Sequence, residues 1–180
     1  MDRRVAPPIL FRLDYLVRRT IALTIGACGL LMFASVPKLP YVVWNASPSV
    51  PLGAYWIGRH TPGSGEIAAI RLTPDVAGLA HRRGYLPTTA VLLKPVAAHA
   101  GDRVCRFGHY ITLRGRVVAS AQWSDRFARP MPRWSGCLQL AAGELLVLAD
   151  VAGSFDSRYF GPIQSDRVIG MATLLWMPGR

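Results

Sequence analysis

The stretch YITLRGRVVA, Tyr110–Ala119, is the clearest local indicator of the fold. Two runs of apolar and β-branched residues enclose Arg114 and Gly115, and short connections that contain glycine are typical of tight β-hairpins. Glycine suits such a turn because it adopts positive φ at little steric cost. The sequence therefore predicts two antiparallel strands here, joined by a turn at Arg114 and Gly115.

Further short apolar runs lie on both sides of this hairpin, separated by glycine, proline and aspartate. Beyond residue 38 they read YVVW, AYWIG, EIAAIRL, AVLLKPVAA, DRVCRFG, ELLVLAD and RVIGMATLLW. Runs of this kind between turn residues predict strands. One short helix is expected within Pro74–Leu86, and Ser124–Gly136 is expected to form a proline-broken loop whose Trp134 packs back onto the core. The chain after residue 38 is therefore predicted to be mainly β.

The N-terminal part has a different character. The chain has 180 residues, of which 51% are hydrophobic, and the run Thr20–Pro37 contains no charged residue. Its length is at the lower limit for a membrane-spanning helix, which needs about 17–25 apolar residues. Arginines precede the run at five positions, whereas Lys38 alone follows closely. Because basic flanks stay on the cytoplasmic side, we predict a cytoplasmic basic segment at residues 1–19, a single transmembrane helix at residues 20–37 and a domain outside the membrane at residues 38–180.

Two alternatives for this run stay open. A cleaved signal peptide would have a shorter apolar core that ends in small residues, and Phe33–Ser35 offers a poor cleavage site of that kind. A buried core helix is the other alternative, because an apolar run of this length also suits a protein interior.

The formal net charge of +11 raises the question of nucleic-acid binding. The N-terminal arginines are explained by topology and by anionic lipid headgroups. The remaining basic residues are scattered through strand-like segments, without a basic helix or an RNA-binding motif interleaved with aromatic residues. We therefore expect a lipid bilayer as partner of the basic segment, and no nucleic acid.

Three cysteines occur in the sequence. Cys28 lies in the apolar run and is expected to be inert packing. Cys105 and Cys137 both lie in the part expected outside the membrane, where disulfides persist, so we predict a Cys105–Cys137 bridge, with two buried free thiols as the alternative. No CxxC motif or closely spaced His–Cys pair is present, and neither a metal nor a cofactor is expected.

Lysine is rare in this chain, and one lysine stands out. Of the 21 basic residues, only Lys38 and Lys94 are lysines. Lys94 lies within AVLLKPVAA, and burial there would lower its pKa so that the neutral amine could act as a general base. The alternative is that its side chain extends from a strand edge to solvent.

Serines supply the groups that such a base would need. In NASPSVPLGAY, Asn45–Tyr55, two prolines restrict φ on either side of Ser49 and would hold its side chain in one orientation. A nucleophilic serine needs a base within reach and a donor at the developing oxyanion, and Ser47 would point the same way on an extended backbone. The alternative is a stiff loop whose serines only cap turns.

A third polar cluster lies in GSFDSRYFGP, Gly153–Pro162. Asp156 and Arg158 could form a pair that braces a loop, while Ser154 could orient a neighbouring amine. None of the four histidines forms a recognisable Ser-His-Asp pattern: these are His60, His81, His99 and His109.

Taken together, these segments resemble the signal peptidase I family of Ser/Lys peptidases, and most of all its TraF-type branch of conjugative-transfer signal peptidases. Four blocks stand in the family's order: NASPSVPLGAY, LLKPVAAHAGDRV, RPMPRWSGC and GSFDSRYFGPI. The chain has Ser-Val-Pro where general leader peptidases have Ser-Met-x-Pro, and its lysine is followed by proline rather than arginine. The long segment with Asn-Arg-Asp-Asn that leads into the last block of those peptidases is absent. These departures favour the specialised branch.

The resemblance implies a role for each of six residues. It makes Ser49 the nucleophile and Lys94 the general base, Ser47 an oxyanion-hole hydroxyl, Ser154 the group that orients the lysine, and Asp156 with Arg158 a brace of the site. It also implies a signal-peptidase-like β domain in the periplasm, held by a single-pass anchor in the bacterial inner membrane.

The implied activity is a serine endopeptidase that removes leader peptides from exported precursors, in particular pilin-like subunits of a conjugative or type IV secretion system. Two alternatives stay open: a general signal peptidase I, and a catalytically silent, membrane-anchored assembly protein of a secretion complex.

Overall fold

A computed structural model describes residues 9–34 and 42–179 of the chain. The first range holds one helix, α1 (Ile9–Ala34), and the second range is mainly β, as the sequence predicts. The chain divides into two compact units, with the boundary between Leu39 and Pro40.

The helix α1 covers most of the predicted membrane span. Within it, the Thr20 hydroxyl donates to the carbonyl oxygen of Val17 at 2.8 Å, and the Thr24 hydroxyl donates to that of Thr20 at 2.7 Å. Among the helices of the described ranges, none combines the length and the apolar character that a membrane crossing requires. Residues 1–8 of the predicted basic segment and residues 35–37 of the predicted span lie outside the described residues.

The second unit contains two antiparallel sheets. In chain order its strands are β1 (Val42–Asn45), β2 (Gly53–Gly58), β3 (Ile67–Arg71), β4 (Val91–His99), β5 (Arg103–Phe107), β6 (Tyr110–Leu113), β7 (Arg116–Ser120), β8 (Gly136–Gln139), β9 (Glu144–Val147), β10 (Ile163–Gln164) and β11 (Val168–Trp176). The first sheet has the order β1-β2-β11-β3-β4-β9-β10, and the second sheet has the order β7-β6-β5-β8. The helices α2 (Pro74–Arg82) and α3 (Ser157–Phe160) lie in the connections.

The predicted hairpin is confirmed in the second sheet. Leu113 pairs with Arg116, and Arg114 and Gly115 form the turn with φ of 51° and 80°. Cys105 on β5 stands directly opposite Cys137 on β8, and the two are joined by a disulfide. The strand β8 was not predicted, because its residues are exposed and lack an alternating pattern.

Apolar clusters cover both faces of the first sheet. One face buries Ile70, Leu92 and Val147, and the other buries Val50, Tyr55 and Leu93. This alternation along β4 follows from the twofold period of a strand. A third cluster around Val104, Ile111 and Leu146 packs the second sheet against β4 and β9, and Trp134 packs against that cluster as expected.

Candidate active site

The loop between β1 and β2 folds around one buried amide side chain. Asn45 is 7% exposed, and its Nδ2 donates to the carbonyl oxygens of Ser47 at 2.7 Å, Val50 at 2.9 Å and Pro51 at 3.1 Å. Its Oδ1 accepts from the Ser47 amide at 3.2 Å and from the Ser47 hydroxyl at 3.0 Å. Because these bonds tie both ends of the turn to one side chain, Ser49 is held at a fixed position.

Gly53 closes this loop at the start of β2. Its φ is +147°, and a Cβ at this position would lie 2.0 Å from the backbone oxygen of Trp176. Only glycine fits this close approach between β2 and β11. The glycine of the quoted NASPSVPLGAY segment is therefore required by strand packing.

Lys94 lies at the middle of β4, where it pairs with Ala68 of β3. Its side chain is 2% exposed and does not extend to solvent. Its Nζ is hydrogen-bonded to the Ser49 hydroxyl and lies 2.6 Å from the Ser154 hydroxyl, and the two hydroxyls are 3.3 Å apart. Three distant segments thus meet in a Ser49–Lys94–Ser154 cluster.

The environment of this cluster changes the charge state of the lysine. Burial lowers the pKa of Lys94 to about 8; the Asp156 carboxylate acts in the opposite direction, and the Arg158 guanidinium lowers the pKa further. Roughly one lysine in ten is therefore neutral at pH 7, compared with fewer than one in a thousand for an ordinary lysine. A neutral amine in contact with a hydroxyl is able to accept its proton.

Asp156 and Arg158 form a buried ion pair next to Ser154. Their side chains are 0% and 2% exposed, and the Asp156 Oδ1 accepts from Arg158 Nε at 2.8 Å. The Asp156 Oδ2 also accepts from the Ala149 amide at 3.0 Å, and Arg158 Nη1 donates to the Ser120 carbonyl at 3.1 Å. The pair thus ties the start of α3 to the end of β7 and to the segment that follows β9.

Two further residues support the site and were not predicted to do so. Asn45 organises the Ser49 loop, and its signal was an asparagine two residues before a serine, a pattern typical of a side chain that bonds the backbone in a turn. Arg106 is 1% exposed and donates to the Arg158 carbonyl oxygen at 2.6 Å. No local pattern distinguishes Arg106 from the other arginines, because its partner lies 52 residues away.

Ser47 lies two residues before Ser49, and its hydroxyl donates to Asn45. An oxyanion role requires this hydroxyl to turn from Asn45 toward the acyl oxygen. Among the residues that the structure describes, no group of three or more His, Cys, Asp and Glu side chains could hold a metal ion.

The sequence comparisons with known proteins agree on one family. The sequence profile described as "Signal peptidase, peptidase S26" matches residues 13–177. The chain is 29% identical to "Plasmid transfer protein TraF" of Escherichia coli over 165 residues, which cover 84% of this chain and 92% of that protein. It is 32% identical to "Conjugal transfer protein TraF" of Agrobacterium fabrum over 170 residues, which cover 86% of this chain and 94% of that protein.

Among solved structures, the chain matches a signal peptidase I from Enterococcus faecalis V583. The match has a TM-score of 0.38 and 17% sequence identity, and it covers 64% of this chain and all of that chain. The family assignment depends on the sequence matches.

Proposed function

This chain belongs to the signal peptidase family, peptidase S26, and to its TraF-type branch, and from that premise we propose that it is a Ser/Lys endopeptidase with Ser49 as nucleophile and Lys94 as general base. The observation that carries the proposal is the buried Ser49–Lys94–Ser154 cluster. A nucleophilic serine needs a base within hydrogen-bond reach and a third group that orients the base.

In the proposed reaction, neutral Lys94 donates one N–H to the Ser154 hydroxyl oxygen, so that its lone pair faces Ser49. Lys94 accepts the Ser49 proton while Ser49 Oγ attacks the scissile carbonyl carbon. The resulting ammonium then gives that proton to the leaving amine as the peptide bond breaks. In the second half, Lys94 removes a proton from water, the hydroxide attacks the acyl carbon, and the ester to Ser49 breaks with return of the proton to Ser49.

The carbonyl oxygen becomes negative in both halves of this reaction. In the proposal, the Ser47 hydroxyl leaves Asn45 and donates to that oxyanion. Because loss of one such donor costs about 10²–10³ in turnover, a Ser47→Ala enzyme is expected to keep weak but measurable activity, unlike Ser49→Ala.

We further propose that the substrates are leader peptides of exported precursors, with small side chains before the cut, and that pilin-like subunits of a conjugative or type IV secretion system are among them. The relatives' descriptions as plasmid-transfer and conjugal-transfer proteins support this choice. Processing of several unrelated preproteins as readily as a pilin precursor would contradict the specialised role and favour a general signal peptidase.

Membrane attachment is part of the same proposal, with the N-terminus in the cytoplasm and the β-rich unit at the periplasmic face of the bacterial inner membrane. One end of the first sheet exposes apolar side chains, and the rings of Trp44 and Trp176 lie 5.7 Å apart there. Tryptophan favours the membrane–water interface, and the Cys105–Cys137 disulfide suits an oxidising compartment. Carbonate extraction of fractionated membranes would test the attachment. Proteolysis of intact spheroplasts would test whether the β-rich unit lies on the periplasmic face.

The catalytic proposal is tested with the full chain in detergent and a pilin-like precursor that carries small residues before the cut. Ser49→Ala and Lys94→Ala are expected to abolish cleavage, measured by mass spectrometry of the products. Ser64→Ala, on an exposed loop, is the matched control and is expected to cleave normally. Near-normal turnover by Lys94→Ala would overturn the dyad. A wild-type chain that cleaves nothing but is required for pilus assembly would favour the silent assembly protein.

A further inference from the structure

A cleft of about 490 Å³ is lined in part by the residues next in sequence to Ser49 and Ser154. These residues are Pro48, which precedes Ser49, and Gly153 and Phe155, which flank Ser154. Tyr85, which follows α2, also lines the cleft, and so does the 122–131 loop, which contributes Arg126 and Met131 among other residues. The cleft therefore adjoins the segments that carry Ser49 and Ser154.

The 122–131 loop is a rigid wall, because it is bonded to itself and to the segment that follows α2. Asp125 accepts hydrogen bonds from the amides of Phe127 at 2.9 Å and Arg129 at 3.0 Å, and from the Tyr85 hydroxyl. The Arg83 guanidinium donates to the Pro130 carbonyl oxygen at 2.8 Å. The wall is thus formed before any substrate arrives.

The charges on this wall are not balanced at the mouth of the cleft. Arg129 Nε lies 2.7 Å from Asp125 Oδ2, so these two charges neutralise each other. Burial raises the pKa of Asp125, but the hydrogen bonds from Tyr85, Arg129 and Phe127 outweigh it and hold the pKa below its ordinary value. Arg126 is exposed, and its guanidinium lies over the Phe127 ring, 4.8 Å from its centroid. Arg126 therefore places a positive charge at the mouth. The Arg83 guanidinium, which donates to Met131 Sδ at 3.5 Å and to Pro130, adds a second positive charge to the same wall.

The position of the base decides which part of a substrate would face this cleft. Lys94 must return a proton to the leaving amine, so the residues after the cut lie on the Lys94–Ser154 side of Ser49. Gly153 and Phe155 flank Ser154 on that side, and both line the cleft.

We propose that this cleft binds the first residues after the cut, an inference that rests on the proposed peptidase function. Tyr85, Met131 and Phe155 form the floor that takes an apolar side chain. Arg126 at the mouth makes an acidic residue more favourable than a basic one. The cleft is thereby a specificity site for the new N-terminus of the processed protein.

The charge part of this inference is tested with the full chain in detergent and internally quenched peptides. The peptides share small residues before the cut and carry Asp, Asn or Lys at the second or third position after it. Wild type is expected to prefer Asp over Lys in kcat/KM by about three- to tenfold at low salt, the range for exposed ion pairs when attraction replaces repulsion. Arg126→Glu is expected to reverse the order, and higher salt to flatten it.

Two controls separate this inference from the proposed function. Arg116→Glu changes the same charge on the exposed strand β7 and is expected to keep the wild-type preference. In a peptidyl-coumarin amide, an uncharged aromatic amine takes the place of the residues after the cut, so Arg126→Glu and Arg126→Gln are expected to cleave it at equal rates. If wild type cleaves both substrate types but Arg126→Glu keeps the order Asp over Lys, the inference is overturned alone. If wild type cleaves neither, the proposed function is overturned with it.

The apolar floor is tested by a tyrosine series. Tyr85→Ala is expected to lose a several-fold preference for Leu over Ser at one of the first three positions after the cut, while Tyr85→Phe keeps the ring and the preference. Tyr110→Ala, on the exposed face of β6, is the matched control. An unchanged Leu-to-Ser ratio in Tyr85→Ala, or the same loss in Tyr85→Phe, would contradict the role of the ring.

Discussion

The polar groups around the Ser49–Lys94–Ser154 cluster and those at one end of the second sheet use the same residue types in opposite surroundings. The Asp156–Arg158 pair is buried, with side chains 0% and 2% exposed, whereas in the Asp102–Arg114 pair the arginine side chain is 74% exposed. The nitrogen–oxygen distances are nearly equal, at 2.8 Å and 2.7 Å. Contact distance therefore does not predict which pair contributes more to stability, whereas burial does.

The largest loss of stability is expected when one partner of the buried pair is removed. Arg158→Ala leaves the Asp156 carboxylate buried without its cation, which typically costs about 3–5 kcal/mol. It also frees the segment that carries Ser154, so peptidase activity is expected to fall with stability. Urea denaturation of the full chain measures the free energy of unfolding. A loss below about 1 kcal/mol would show that water or a neighbouring group replaces Arg158.

The buried lysine gives the next largest effect, and it depends on pH. The folded-state pKa of about 8 lies below the ordinary value of 10.5, so the unfolded chain binds more protons between these values and stability rises with pH across that window. The rise is at most about 3 kcal/mol. Lys94→Met is expected to abolish the rise and to be more stable than wild type at pH 7. A Lys94→Met protein with the wild-type pH dependence of unfolding would contradict this assignment.

The same titration is expected in the activity of the enzyme. Because the neutral amine is the base, kcat/KM should rise as pH increases through about 8 and then level off. Asp156 holds this pKa up, so Asp156→Asn is expected to shift the midpoint to lower pH in whatever fraction remains folded. A profile that is flat from pH 6 to 9 would contradict Lys94 as the base.

A smaller effect is expected at the buried amide of the Ser49 loop. Asn45→Ala leaves three carbonyl oxygens without their donor, and unsatisfied polar groups of this kind cost about 1–3 kcal/mol when they stay buried. The loop also loses its fixed position, so kcat is expected to fall more than the affinity for substrate. Asn45→Asp, which keeps the acceptor for the Ser47 amide and hydroxyl, is the informative comparison. Wild-type kcat in Asn45→Ala would contradict a positioning role.

The smallest effect is expected at the exposed pair. Arg114→Ala removes the partner of Asp102, and exposed pairs contribute about 0–1 kcal/mol. The Asp102 carboxylate keeps the hydrogen bond from the His99 amide at 3.1 Å, which further limits the loss. A change in the free energy of unfolding as large as that of Arg158→Ala would remove the distinction between the two regions.

The parts of the fold that follow from local pattern were predictable from sequence. The hairpin at Arg114 and Gly115, the helix α2 and the strand that carries Lys94 each show the expected spacing of apolar, turn and polar residues. The strands β8 and β10 were missed because β8 is exposed along its length and β10 has only two residues. Their pairing is set by neighbours distant in the chain.

The candidate site was likewise predictable only where local sequence patterns carried the information. The prolines around Ser49 and the apolar flanks of Lys94 were visible in sequence, and family resemblance connected them to Ser154. The contact itself was not, since Ser49 and Ser154 are 105 residues apart. Arg106 is the clearest omission, because burial alone distinguishes it from the surface arginines.

The strand order of the first sheet affects the stage of folding at which the site forms. The last strand, β11, lies between β2 and β3, so it separates the half of the sheet that follows the Ser49 loop from the half that holds Lys94. Contacts between such distant segments form late in folding, because each must first close a long loop. The chain is therefore expected to have no working protease centre until residues 168–176 have been synthesised and inserted. A truncated chain that lacks β11 is therefore expected to show no peptidase activity.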